Sequence, residues 1–216
     1  MPEAADEPEV RDTPERWETV SSEERYSGPI FDVRTDRVRM PGGGPDAPWE
    51  VVGRDIVRHP GAVAILALDD AERVLMIRQY RHPVERRLWE IPAGLRDVAG
   101  EPLHATAARE LAEEAGYRAR EWRVLADLFT SPGMTDERMR IFLATGLEEI
   151  PESERHFVRE HEEADLVVSW VPLAAAVAKV FGAEIHNQQA AMGILAAYAA
   201  RADGYGRLRP ADASED

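Results

Sequence analysis

The chain has 216 residues, a formal net charge of −15, 44% hydrophobic residues and no cysteine; this fits one globular domain with a small N-terminal appendage and excludes disulfides, thiolate zinc centres and a cysteine nucleophile. The acidic balance, with no stripe of basic and aromatic residues to offset it, disfavours nucleic-acid binding. The longest apolar run, Ala62 to Leu68, is far too short to span a bilayer, and the acidic N-terminus lacks the basic start and apolar core of a secretory signal, so a cytoplasmic protein without a membrane partner is expected.

In chain order, residues 1–16 are rich in Glu, Pro and Asp and read as a disordered acidic N-terminus. Residues 17–58 alternate in WETVSSEERYSG, IFDVRTDRVRM and WEVVGRDIVR, with the turn-rich PGGGPDAP before the last, and predict an antiparallel β-meander. A larger domain is expected over residues 59–208. Its first part, GAVAILAL, the Asp69-Asp70 turn and RVLMIRQYR, predicts a central strand pair. Leu103, Ala107, Leu111 and Ala115 recur every fourth position and Gly116 stands where a helix stops, which predicts a helix over 103–115. Strands at EWRVLADLF, ERMRIFLATGL and ADLVVSWVPL precede two helices, PLAAAVAKVFG and, after an Asn187 cap, QQAAMGILAAYAA. The order predicts an α/β sandwich with a mixed sheet, and residues 209–216 read as a disordered tail.

The predicted 103–115 helix carries Glu110, Glu113 and Glu114 at three- and four-residue spacings, which puts the three carboxylates on one face. Such a face is either a solvated acidic surface or a cation site. Glu113 and Glu114 fall in the last turn, where the helix dipole and like-charge spacing each disfavour a carboxylate by a few tenths of a kcal/mol up to about 1. A hard divalent cation held by oxygen ligands compensates that cost.

The stretch from Gly94 to Tyr117, GLRDVAGEPLHATAARELAEEAGY, resembles the Nudix box, G-x5-E-x7-R-E-U-x-E-E-x-G-U with U a large apolar residue. Gly94, Glu101, Arg109, Glu110, Leu111, Glu113, Glu114 and Gly116 fill the fixed positions, and Tyr117 takes the last apolar one. Six residues rather than five separate Gly94 from Glu101; the extra one falls in the loop before the helix and leaves the helical carboxylates in register. The resemblance implies a Nudix-type α/β/α sandwich and a divalent metal, magnesium with manganese as the alternative, held by Glu110, Glu113 and Glu114 beside the catalytic-box Arg109. In the ADP-ribose pyrophosphatase branch the main-chain carbonyl before the box glycine, here Ala93, is a further ligand. RQYRHPVERRLWEIPAG resembles the segment that leads into the box in that branch, with Arg81 at the place of a phosphate-binding arginine. SPGMTDE, which holds Gly133 and Met134, resembles the loop that shapes the sugar-nucleotide pocket. REHEEADL resembles the loop that supplies a general base and, two residues later, a metal ligand, here Glu160 and Glu162. The PGGG turn with its flanking strands resembles an N-terminal region exchanged across a dimer, which implies a homodimer.

Arg78 and Arg81, read by residue type alone, fit either surface cations on an edge strand or bidentate donors to a diphosphate. The six histidines show no metal-ligand spacing, and no Walker loop, dinucleotide fingerprint or G-x-S-x-G elbow occurs. The implied activity is metal-dependent hydrolysis of the pyrophosphate of ADP-ribose, or of a related nucleoside diphosphate sugar, giving AMP and ribose 5-phosphate from the former. The alternatives are a Nudix hydrolase for another nucleotide and a non-catalytic nucleotide-sensing module, against which the intact RELAEEAG core weighs.

Overall fold

The computed structural model describes residues 10–44, 46–155 and 165–215, and the chain divides into two units, Met1–Val57 and Arg58–Asp216. In the first unit β1 (Thr19–Ser27), β2 (Asp32–Met40) and β3 (Glu50–Arg58) follow one another in a three-stranded sheet, β1 antiparallel to β2. Every residue of β1 is exposed, and no apolar side chain among the described residues of this unit is fully buried. Its aromatic residues meet near the surface instead, Trp17 edge-on to Trp49 at 6.1 Å and Tyr26 tilted against Phe31 at 5.8 Å.

The second unit is built around β4 (Ala62–Ala67), buried at all six residues. A five-stranded sheet runs β11-β8-β9-β4-β7, with β8 (Tyr117–Phe129), β9 (Arg138–Glu149), β7 (Ala93–Leu95) and β11 (Arg209–Pro210). The β4–β9 pair is parallel and the β4–β7 and β8–β9 pairs are antiparallel, which makes the sheet mixed. A second sheet runs β10-β5-β6, with β5 (Arg73–Arg81), β6 (Arg86–Glu90) and β10 (Val167–Pro172).

Alternation along β4 and β5 divides the core. Ala64, Leu66, Val74 and Met76 pack with α2 (Leu173–Phe181) and α3 (Gln188–Ala200), whereas Val63, Ile65, Leu75 and Ile77 pack with the box helix through Ala107 and Leu111. Each fully buried Leu or Ile contributes about 1.5–3 kcal/mol, so the two apolar faces hold helices on opposite sides of the sheets. This is the expected α/β/α sandwich. The Asn187 cap is present too: its side chain accepts from the Ala190 amide at 2.9 Å. No helix among the described residues is long and apolar enough to cross a membrane.

Two expectations change. The box helix is regular only in α1 (Leu103–Glu110); over Leu111–Ala115 it widens into a π turn, in which the Gly116 amide reaches both the Ala112 and the Leu111 carbonyl. Gly116 ends it in the left-handed conformation, φ 74°. The expected disordered tail is also different. β11 pairs with β8 at Arg123 and Val124, and the buried Arg140 donates to the Ala213 and Ser214 carbonyls at 2.7 and 3.0 Å. Arg96 forks onto Glu215 with two 3.0 Å bonds. A fully buried guanidinium must find oxygen acceptors, and the C-terminal segment supplies two of them beside Asp127.

Candidate active site

The box helix is pinned to β7 by two of its carboxylates. Glu114, buried at 5% exposure, accepts a hydrogen bond from the Ala93 amide at 2.8 Å. Glu110 lies so close over Gly94 that a Cβ there would overlap its carboxyl group, a close backbone approach that only glycine allows. The inserted residue of the preceding loop is absorbed in a turn in which the Glu101 amide bonds the Val98 carbonyl and Gly100 takes φ +79°. Glu101 therefore still reaches the helix, accepting from the Thr106 hydroxyl at 2.8 Å and from Arg109 at 3.4 Å.

Arg109 stands among four carboxylates: Glu110 at 2.6 Å, Glu101 at 3.4 Å, Glu113 at 3.5 Å and Asp97 at 3.7 Å. Burial pushes the Glu110 carboxyl up to about 7, with repulsion from Glu113 and Asp97 adding to the rise and Arg109 opposing it. A carboxylate so placed holds its charge better beside an added cation. The all-oxygen donor set of Glu110 and Glu114, with the Glu110 carboxyl group laid directly over Gly94, fits a hard divalent ion. Among the described residues no three acidic or imidazole side chains stand together in an arrangement ready to hold a metal ion. Glu110 and Glu114 meet β7, whereas Glu113, half-exposed, sits by Arg109.

Strand alternation separates the two candidate arginines. Arg81 has the parity of Leu75 and Ile77, on the face of the box helix; Arg78 has the parity of Val74 and Met76, on the face of α2 and α3. There Arg78 lies over the Trp89 ring at 5.8 Å. Arg81 instead forks onto Glu90, Nε donating to Oε1 at 2.9 Å and an Nη to Oε2 at 2.7 Å. Gly133 and Met134 are exposed in a turn closed by the Ser131 carbonyl, which accepts from the Met134 and Thr135 amides. Asp136 holds the base of that turn, bound to Arg58 at 2.6 Å and to the His59 amide at 2.9 Å. Glu160 and Glu162 lie outside the described residues.

Two acidic residues passed over in the sequence enter the site: Asp97 beside Arg109, and Glu90 beneath Arg81. Glu90 left a signal, since a carboxylate directly follows the apolar pair Leu88-Trp89 in RRLWE and precedes Ile91, and a buried acid requires a partner.

The residues 57–191 match the model of the NUDIX domain, and residues 17–52 match that of the nucleoside diphosphate sugar hydrolase N-terminal domain. The chain is 52% identical over 196 residues to an ADP-ribose pyrophosphatase of Mycobacterium tuberculosis, covering 91% of this chain and 89% of the relative. It is 37% identical over 177 residues to an ADP-ribose pyrophosphatase of Bacillus subtilis, covering 82% and 89%. A crystal structure of an ADP compounds hydrolase shares the fold, with a TM-score of 0.65 at 20% identity over 90% of this chain and 99% of that one. With its box helix set against β7, the chain belongs to the Nudix family, in the branch of its ADP-ribose pyrophosphatase relatives.

Proposed function

We propose that this protein hydrolyses the pyrophosphate of ADP-ribose, water attacking one phosphorus and the P–O–P bridge breaking to give AMP and ribose 5-phosphate. The observation that carries the reading is the pinning of Glu110 and Glu114 onto Gly94 and Ala93, in a chain 52% identical to an ADP-ribose pyrophosphatase. Glu110, Glu113 and Glu114, the Ala93 carbonyl and Glu162 are the residues that would hold magnesium, or manganese in its place. The chemistry supplied with that ion in place would be activation of water as a nucleophile and neutralisation of charge on the phosphoryl oxygens.

The chain's own groups do the rest. Arg109 orients the box carboxylates through its contacts with Glu101, Glu110 and Glu113 and opposes the rise that burial imposes on Glu110. Arg81, on the box-helix face, binds a phosphate of the substrate; Arg78, on the other face, is the weaker of the two arginines for that task. Gly133 and Met134 border the sugar-nucleotide pocket from a turn that Asp136 holds. Glu160 takes the proton from the attacking water. We place the enzyme in the cytoplasm, as a homodimer built on the exposed aromatic surface of the first unit.

AMP release from ADP-ribose, with and without magnesium, and from a panel of other nucleoside diphosphate sugars and triphosphates, tests the reading. ADP-ribose should give the highest kcat/KM, only with divalent metal. A clear preference for a triphosphate overturns the substrate assignment; no hydrolysis of any nucleotide under magnesium or manganese leaves a nucleotide-sensing module.

A further inference from the structure

Glu90 is 2% exposed and both of its oxygens are engaged, Oε1 by Nε of Arg81 and Oε2 by an Nη of Arg81 and, at 3.5 Å, by the Gln79 amide. The register between β5 and β6 makes this pairing unusual. Arg81 stands across from Arg86, whereas Glu90 stands across from Ile77, four residues further along. At about 3.3 Å per residue the two backbones are offset by roughly 13 Å along the strands, so both side chains lean along the sheet to meet. Arg81 does not stand off into water; it is laid back towards the end of β6 that runs through Ile91 and Pro92 into Ala93 and Gly94, the two residues contacted by Glu114 and Glu110.

We propose that Glu90 is a positioning residue for the diphosphate: its buried carboxylate fixes one edge of the Arg81 guanidinium so that the other edge is presented to a phosphate beside the box carboxylates. The proposal rests on the reading of Arg81 as a phosphate ligand and deepens it. A free arginine gives up much rotamer freedom when it binds an anion. A guanidinium already forked onto a fixed carboxylate has lost that freedom before substrate arrives, and its planar fork keeps the second edge in a set direction. Gln79, itself buried, holds the carboxylate from the neighbouring strand position.

The test compares the full-length wild type with Glu90→Gln, Arg81→Ala and the double variant, in steady-state hydrolysis of ADP-ribose with magnesium, alongside thermal unfolding without metal. Arg81 is 41% exposed against 3% for the Glu90 side chain, so loss of the carboxylate leaves an arginine that water can solvate and Glu90→Gln should fold. Because the guanidinium remains but must be ordered on binding, Glu90→Gln should raise KM about 10- to 100-fold while kcat stays within about threefold. Arg81→Ala should lower kcat/KM at least as much, and the double variant should match Arg81→Ala, since Glu90 acts only through Arg81.

A Glu90→Gln enzyme with wild-type KM, or one whose kcat falls at unchanged KM as a smaller folded fraction would give, overturns the positioning role. So does a double variant whose losses simply add. Wild-type kcat/KM in Arg81→Ala overturns the reading of Arg81 itself, and the role of Glu90 with it. Should Glu90→Gln not fold, Glu90→Asp decides: it keeps the charge but shortens the reach by one methylene, and is expected to raise KM with kcat retained, whereas a wild-type KM refutes the proposal.

Discussion

Glu114 accepts the Ala93 amide at 2.8 Å from a position buried at the end of the box helix, so one carboxylate ties that helix to the strand of the box glycine. A glutamine at 114 keeps an oxygen that can accept the same bond, and it removes a negative charge from a helix C-terminus, where the dipole disfavours it. Glu114→Gln should therefore leave the metal-free melting temperature unchanged or slightly higher. Turnover of ADP-ribose should fall by at least ~10²-fold, since the cation loses a charged ligand. A large drop in the melting temperature of the metal-free variant would assign Glu114 to the fold instead.

Gly94→Ala probes the same contact from the other side. Gly94 is not among the positive-φ residues, so alanine meets no dihedral strain; the three atoms nearest the added Cβ all belong to the Glu110 side chain, close enough to overlap it. Glu110 must swing away from β7. Turnover should fall roughly 10- to 100-fold with a raised magnesium requirement, and melting should change little. An alanine variant with wild-type magnesium dependence would show that the position of Glu110 over residue 94 is irrelevant to catalysis.

The box itself was legible in the sequence because helical spacing and a glycine stop are local features, as were both C-terminal helices and the Asn187 cap. The π turn was not legible: Leu111–Ala115 has the same apolar spacing as an α-helix, and the widening shows only in which carbonyl Gly116 reaches. The face on which Arg81 lies follows from alternation with Ile77, and could have separated it from Arg78. The order of residues 209–215 could not be read, because it depends on Arg140 in a strand of otherwise apolar residues, MRIFLA, two of whose acceptors come from more than 70 residues away in sequence.

The first unit should be completed by a second copy of this chain. Trp17, Val20, Tyr26, Phe31 and Trp49 are all exposed, and a three-stranded sheet with no buried apolar side chain among its described residues is not independently stable. Light scattering should give about twice the 24.1 kDa of the chain, and deletion of residues 1–57 should yield a monomer with little activity. Full activity in a 24.1 kDa species at low concentration rules the dimer out.

Glu160 and Glu162 should differ in what their loss does. A general base acts on a proton in the transition state, so Glu160→Gln should lower kcat by about 10²- to 10⁴-fold with little change in the magnesium concentration needed. Glu162→Gln should raise that concentration as well. Near-normal turnover in Glu160→Gln would move the base to another carboxylate of the same acidic loop, with Glu163 next in line.

Acid stability should depend on Asp127. Its carboxylate takes two bonds from Arg140, at 2.7 and 2.9 Å, and a third from Arg209. Burial raises its pKa, but the hydrogen bonds and charges of Arg140 and Arg209 outweigh it and hold the group below its ordinary 3.8. A carboxyl with a depressed folded pKa stabilises the protein fully above its unfolded pKa of about 4, and the contribution is lost as pH falls through the folded value. Asp127→Asn removes the charged partner of an arginine 2% exposed, which costs about 3–5 kcal/mol at neutral pH, or roughly 10 °C in melting temperature for a chain of this size. The gap between wild type and variant should stay constant from pH 7 to 5 and close progressively below pH 4, as the wild-type carboxylate takes up its proton. Melting curves at pH 7, 5, 4 and 3 measure it, and a gap that holds its neutral-pH size at the lowest pH would show that the charge of Asp127 does not stabilise the C-terminal segment.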